Sequence, residues 1–212
     1  MFDSNDMKLF SMSFIEELNK LFDGIDHQKI AEATREIIRT RDNGKSIFVV
    51  GSGQSSSLAN HFASSLLLKS DSKKKPFKTY SLNASSTSIS IVAENDHIDQ
   101  LYSKQLLSLA NRGDLLVVFS ETGNCQSIVE AIKVAKTKEC TIVGISSMGG
   151  GLLKSISDIC LYTSKSDICN ASFAIQMNFI QIITSYIQEF CQIESRGVHT
   201  SHPNQLNLLE IQ

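Results

Sequence analysis

The chain has 212 residues, 42% hydrophobic and 20% charged, with no Trp and only two Pro. That length suits one domain able to bury about two-thirds of its extended surface, and the composition excludes disordered, fibrous and membrane-spanning classes, since no run of eighteen apolar residues occurs. Twenty Lys and Arg against twenty-two Asp and Glu leave a net charge of −2, which gives no overall attraction to nucleic acid or an anionic membrane.

Asp3 and Asp6 precede the first hydrophobic stretch, whereas a secretory leader begins basic and turns apolar, so a cytoplasmic location is expected. Apolar residues recur at helical spacing in Phe14, Leu18, Leu21 and Phe22, and again in Ile30, Ala33, Ile37 and Ile38 after a break at Gly24 and Asp26. Two amphipathic helices are predicted, the second ending at Asn43-Gly44 with Arg39 and Arg41 complementing its dipole. Continuous β-branched and aromatic runs predict buried strands over 46–50, 77–81, 114–120, 140–146 and 158–163. Between them lie helical stretches over 57–69, 97–110 and 127–138 and a short one after Gly151, while the lysine-rich stretch 70–75 reads as a solvated loop. Alternating strands and helices give an α/β, three-layer α/β/α sandwich around a central five-stranded parallel sheet. A long C-terminal helix from about 168 to 192 is apolar around most of its circumference, and cover from a second subunit predicts a homodimer or homotetramer. One domain over 1–192 and a tail over 193–212, carrying His199 and His202, complete the organisation. The five cysteines, Cys125, Cys140, Cys160, Cys169 and Cys191, contain no CxxC pair and fit neither a disulfide framework nor a structural zinc site; most are expected to be buried.

Two buried strands run into hydroxyl-rich turns that open helices: Gly51-Ser52-Gly53-Gln54-Ser55 after the first, and Ser120-Glu121-Thr122-Gly123-Asn124-Cys125 after the third. Such turns leave backbone N–H groups unpaired at the positive end of a helix, and Ser and Thr hydroxyls complete a cradle for a phosphate. The first turn lacks the third Gly of a dinucleotide fingerprint, and no P-loop Lys-Ser/Thr follows, so a smaller ligand is predicted. Helix capping and tight turning are the alternative use of the same residues.

These motifs resemble the sugar isomerase (SIS) domain family, and within it the phosphoheptose isomerases and the DnaA initiator-associating proteins. The resemblance covers about residues 14–186 and rests on the two turns, on Ala59-Asn60-His61-Phe62-Ala63 and on Glu94-Asn95-Asp96. It implies a flavodoxin-like topology and a sugar-phosphate ligand held by Ser55, Ser120 and Thr122, with Ser52 and Asn124 in the same turns and Cys125 at the place of the last family Ser. Gly53 and Gly123 would admit close backbone approach. Asn95 and Asp96 would lie near the sugar, or else form a turn and helix cap before 97–110.

Phosphoheptose isomerases carry a His with a Glu four residues on, then a Gln and a His eight apart on the C-terminal helix, as base, acid and zinc ligands. Here His61 is followed at that spacing by Ser65, stretch 170–181 holds neither His nor Glu, and the C-terminal pair reads as missing. One His cannot hold zinc, so neither metal nor cofactor is predicted. Glu121 replaces a family hydroxyl and would repel a phosphate unless turned away. His61 and Glu121 are the catalytic candidates, with Glu94 a second carboxylate and His199 or His202 entering from a neighbour. Three functions follow: an isomerase with rearranged groups, a non-catalytic sugar-phosphate binder, or an adaptor of the DnaA initiator-associating kind.

Overall fold

Five parallel strands form one sheet in a computed structural model that describes residues 6–69, 75–95, 97–165 and 171–195. Strands β1 (Ser46–Gly51), β2 (Lys78–Ser81), β3 (Leu115–Ser120), β4 (Thr141–Ser146) and β5 (Ile159–Leu161) lie in the order β2-β1-β3-β4-β5. This is the flavodoxin-like order, in which the winding direction reverses between β1 and β3 and leaves a crevice at their carboxyl ends. Gly51 pairs with Phe119 across that reversal, so the loops leaving the two strands start side by side.

Helices α1 (Met7–Asp23), α2 (His27–Asp42), α3 (Ser55–Leu68), α4 (Ser86–Asn95), α5 (Leu101–Leu109), α6 (Gln126–Thr137), α7 (Gly151–Ile156) and α8 (Ala171–Ser195) complete the three layers. Side chains alternate across the pleat. Ile47, Val49, Leu115, Val117, Phe119, Val143 and Ile145 therefore pack with α2, α3 and α8, while Phe48, Val50, Leu116, Val118 and Ile142 pack with α5 and α6. Phe62 of α3 meets Phe119 edge-on at 5.6 Å between ring centroids. Burying each such ring stabilises the sheet by about 1.5–3 kcal/mol.

The expected elements are present with three differences. Helix α4 has no counterpart in the sequence pattern; its Ser-rich turns bury only Val92. The stretch 97–110 divides into a 3-10 turn at Ile98–Gln100 and α5. Strand β5 is shorter than 158–163, because beyond Leu161 the Thr163 carbonyl accepts from Gly149 N–H in the loop after β4. Arg41 does more than complement a helix dipole: it is 3% exposed, lies over the Phe77 and Phe190 rings and pairs with Asp42 and Glu194, joining α2 to the end of α8. Cys140, Cys160 and Cys191 are buried and Cys125 is half-buried. Cys169, Asp96, His199, His202 and stretch 70–74 lie outside the described residues. No helix among the described residues is long and apolar enough to cross a membrane.

Candidate functional site

The first loop closes at the end of β1, where a Cβ on Gly51 would sit 2.1 Å from the Ser55 carbonyl oxygen, so only glycine permits the return of the chain. Its strand end is held by Asn83, whose Oδ1 accepts from Gly51 N–H at 2.8 Å and whose Nδ2 donates to the Gly51 carbonyl at 2.9 Å. The Tyr102 hydroxyl donates to the same carbonyl at 2.7 Å. Burial pushes the Tyr102 phenol above its ordinary pKa. Neither residue stands out in the sequence, because a single Asn in a turn and a single helical Tyr carry no pattern.

The second loop meets the first through hydroxyls. Ser52 Oγ donates to Ser120 Oγ at 3.4 Å, and Ser120 Oγ also accepts from Gly123 N–H at 3.1 Å. Thr122 Oγ1 accepts from Asn124 N–H, and the Cys125 sulfur lies 3.2 Å from Ser127 Oγ. Both helices that start here lack a side-chain cap, with Gln54 and Cys125 at the cap positions, whereas α1 and α2 are capped by Asp6 and Asp26. Among the described residues no acceptor takes the N–H groups of Gly53, Gln54, Cys125, Gln126 or Ser127. Unclaimed donors at two adjoining helix starts favour an anion.

A third loop, between β4 and α7, locks onto the second. Leu153 N–H donates to the Gly123 carbonyl at 3.0 Å and Leu152 N–H to Asn124 Oδ1 at 2.9 Å. Met148, Gly149, Gly150 and Gly151 all have positive φ. The space a Cβ would need on Gly123 is filled by the Gly150 carbonyl oxygen at 2.0 Å, so this glycine admits neighbouring backbone, while Gly53 has nothing within 4 Å and stays open.

Ser55 is 4% exposed, and its hydroxyl donates at 2.9 Å to Oε1 of Gln176 on α8, a side chain with no exposure. In this rotamer the Ser55 proton is committed inward. Gln176 Nε2 in turn donates to Ser147 Oγ at 3.4 Å, and Ser147 Oγ donates to the Glu121 carbonyl at 3.1 Å. The C-terminal helix thus does carry a buried glutamine at the site; eight residues on stands Thr184, whose hydroxyl donates to the Ile180 carbonyl.

His61 and Glu121 are exposed, and among the described residues neither side chain hydrogen-bonds or ion-pairs with another group. Asn95 ends α4, its amide donating to the Ile91 carbonyl at 3.0 Å, so it caps no following helix. Zinc does not fit: among the described residues no three His, Cys, Asp or Glu side chains are grouped to hold a metal, and Ser65 and Thr184 supply hydroxyls where a carboxylate and an imidazole are needed.

The SIS domain profile matches residues 13–147. The chain belongs to the SIS domain family. It is 30% identical over 163 residues to the phosphoheptose isomerase of Campylobacter concisus, covering 77% of this chain and 83% of that one. It is 32% identical over 124 residues to the DnaA initiator-associating protein DiaA of Yersinia enterocolitica, covering 58% and 63%. A phosphoheptose isomerase structure from Francisella tularensis superposes with a TM-score of 0.75 at 24% identity, covering 90% of this chain and 98% of that one, a likeness of fold. As an SIS domain the molecule has a fold suited to sugar phosphates, with its open helix starts at the place where open α/β sheets bind ligands.

Proposed function

We propose that this SIS domain binds a small sugar phosphate, of the sedoheptulose 7-phosphate type, and does not isomerise it by a zinc-dependent route. The observation that carries the reading is the convergence of two uncapped helix starts and the Ser52–Ser120 hydroxyl pair at the β1/β3 reversal. The phosphate is gripped by unclaimed backbone N–H groups of both loops, with Ser52, Ser120 and Thr122 hydroxyls completing the shell. Aldose–ketose isomerisation needs a base beside the carbonyl and an acid at the neighbouring oxygen. His61 and Glu121 are the ionisable groups best placed for that work, and among the described residues both stand at the surface without a partner to orient them. A homodimer or homotetramer is part of this proposal, because α1 exposes Met7, Met12 and Ile15 by 76%, 59% and 58% and buries only Leu21.

Thermal unfolding with sedoheptulose 7-phosphate, run beside a coupled isomerase assay, tests the reading on wild type, His61→Ala and Glu121→Gln. A ligand at a hundredfold excess over its Kd stabilises by about 2.7 kcal/mol, and no turnover is expected. Absence of stabilisation refutes binding; turnover lost in His61→Ala replaces the binder with an isomerase. The adaptor reading is favoured by the likeness to the DnaA initiator-associating protein and by the small residues Ser64 and Ser65 that follow His61-Phe62-Ala63. It is tested by pull-down of purified DnaA initiator.

A further inference from the structure

The geometry points to Gln176 as a positioning residue that holds three loops of the phosphate cradle at fixed separation before ligand arrives; this rests on the sugar-phosphate reading and extends it. Ser55 begins α3 at the end of the first loop, Glu121 lies in the second, and Ser147 follows β4 at the start of the third. These three loops leave different strands, and Gln176 lies on a fourth element, α8. One amide spans them. Its Oε1 takes the Ser55 proton at 2.9 Å, and its Nε2 donates at 3.4 Å to Ser147, which passes its own proton to the Glu121 carbonyl at 3.1 Å. The Glu121 carbonyl is further held by Ser146 Oγ at 3.2 Å and Ser147 N–H at 3.2 Å, so the strap ends on a fixed point.

A primary amide is the group that can do this, since it both accepts and donates while remaining uncharged in a fully buried place. A carboxylate there would be desolvated and could not donate; a thioether would do neither well. The cradle grips through backbone N–H groups, so its affinity depends on where the loops stand. Loops free to separate would need to be ordered at the expense of binding. Gln176 itself has no exposure and acts on the loops only through Ser55 and Ser147.

Hydrogen–deuterium exchange on the ligand-free full chain tests the strap without relying on any ligand. Gln176→Met keeps the side-chain volume and removes both bonds. We expect exchange at the hydrogen-bonded amides of Ser52, Ser55, Ser56, Ser57, Gly123 and Asn124 to rise about tenfold, the scale of one lost buried hydrogen bond, with β1 and β3 unchanged. Adding Gln176→Met to a Ser55→Ala, Ser147→Ala background should change loop exchange little further, because the strap is already cut. A merely structural role would raise exchange along α8 and add to that background, and this result would overturn the proposal. Calorimetry with sedoheptulose 7-phosphate and with inorganic phosphate then reads the consequence: Kd should rise about tenfold in Gln176→Met, in step with the exchange. If wild type binds neither probe, the sugar-phosphate reading fails and the exchange data alone decide the strap. If wild type binds and Gln176→Met matches it in both affinity and exchange, the strap is overturned.

Discussion

One methyl group added at Gly123 should part the second and third loops, and the same methyl at Gly53 should not. Both glycines have positive φ, +71° and +56°, so alanine at either pays the left-handed backbone cost of about 1–2 kcal/mol. At Gly53 nothing lies within 4 Å of the new carbon, and the cost ends there. At Gly123 the carbon would fall 2.0 Å from the Gly150 oxygen, 2.7 Å from its carbonyl carbon and 3.1 Å from Leu153 Cβ. Backbone must give way by more than an ångström, since carbon and oxygen need about 3 Å or more. The movement breaks the Leu153–Gly123 and Leu152–Asn124 bonds, at about 1 kcal/mol each. Gly123→Ala is therefore expected to cost about 3–4 kcal/mol and Gly53→Ala about 1–2 kcal/mol. Urea unfolding at constant m-value measures both. Equal losses would refute the claim that the two loops are interlocked by glycine contact.

Replacing Arg41 with Met should cost about 2–3 kcal/mol, below the usual range for breaking a buried pair because Asp42 and Glu194 keep 48% and 22% of their side chains exposed; a urea midpoint shifted by less than 1 kcal/mol's worth, on the scale of a surface pair, would contradict it. Burial pushes the Cys140 and Cys160 thiols up to about 11 from an ordinary value of 9.0. Their folded pKa is raised, so the stability they contribute is complete below pH 9 and is lost as pH climbs toward 11. At pH 10 the loss is about 1 kcal/mol per thiol, and a Cys140→Ala, Cys160→Ala variant should show a shallower decline from pH 8 to pH 10 than wild type; an equal decline would place the effect elsewhere.

Strands β1, β3 and β4 could be read within a residue because a strand covered on both faces must be apolar at every position, and runs such as Leu115-Leu116-Val117-Val118-Phe119 have no other use. Helix α4 escaped because it buries one residue, and a helix that contributes little to the core carries little periodic signal. Gln176 escaped for the opposite reason. A polar residue in an amphipathic helix reads as solvent-facing, and its burial is legible only once α3 and α8 are brought together. The adjoining helix starts were legible in outline, since paired hydroxyl-rich turns after buried strands predict them. What each residue does there was not: Ser55 turns inward, and Gly123 makes room for Gly150.

Binding and chemistry place different demands on such a site, and the substitutions in this chain fall unequally on the two. An anion held by backbone N–H groups tolerates exchange of hydroxyl for thiol at the rim, because the donors belong to the fold; with Gln54 and Cys125 at their cap positions, the helix starts of α3 and α6 stay uncapped. Proton transfer depends instead on particular ionisable side chains at fixed places, and one replacement removes the step. On the proposed reading, Ser65 and Thr184 are replacements of that second kind. Thr184 has moreover settled into a helical role, its hydroxyl bonded to the Ile180 carbonyl at 2.8 Å. Retaining Gln176 while losing the groups expected beside it is understandable if its work is to keep the loops in place, since a binding protein needs a preformed cradle as much as an enzyme does.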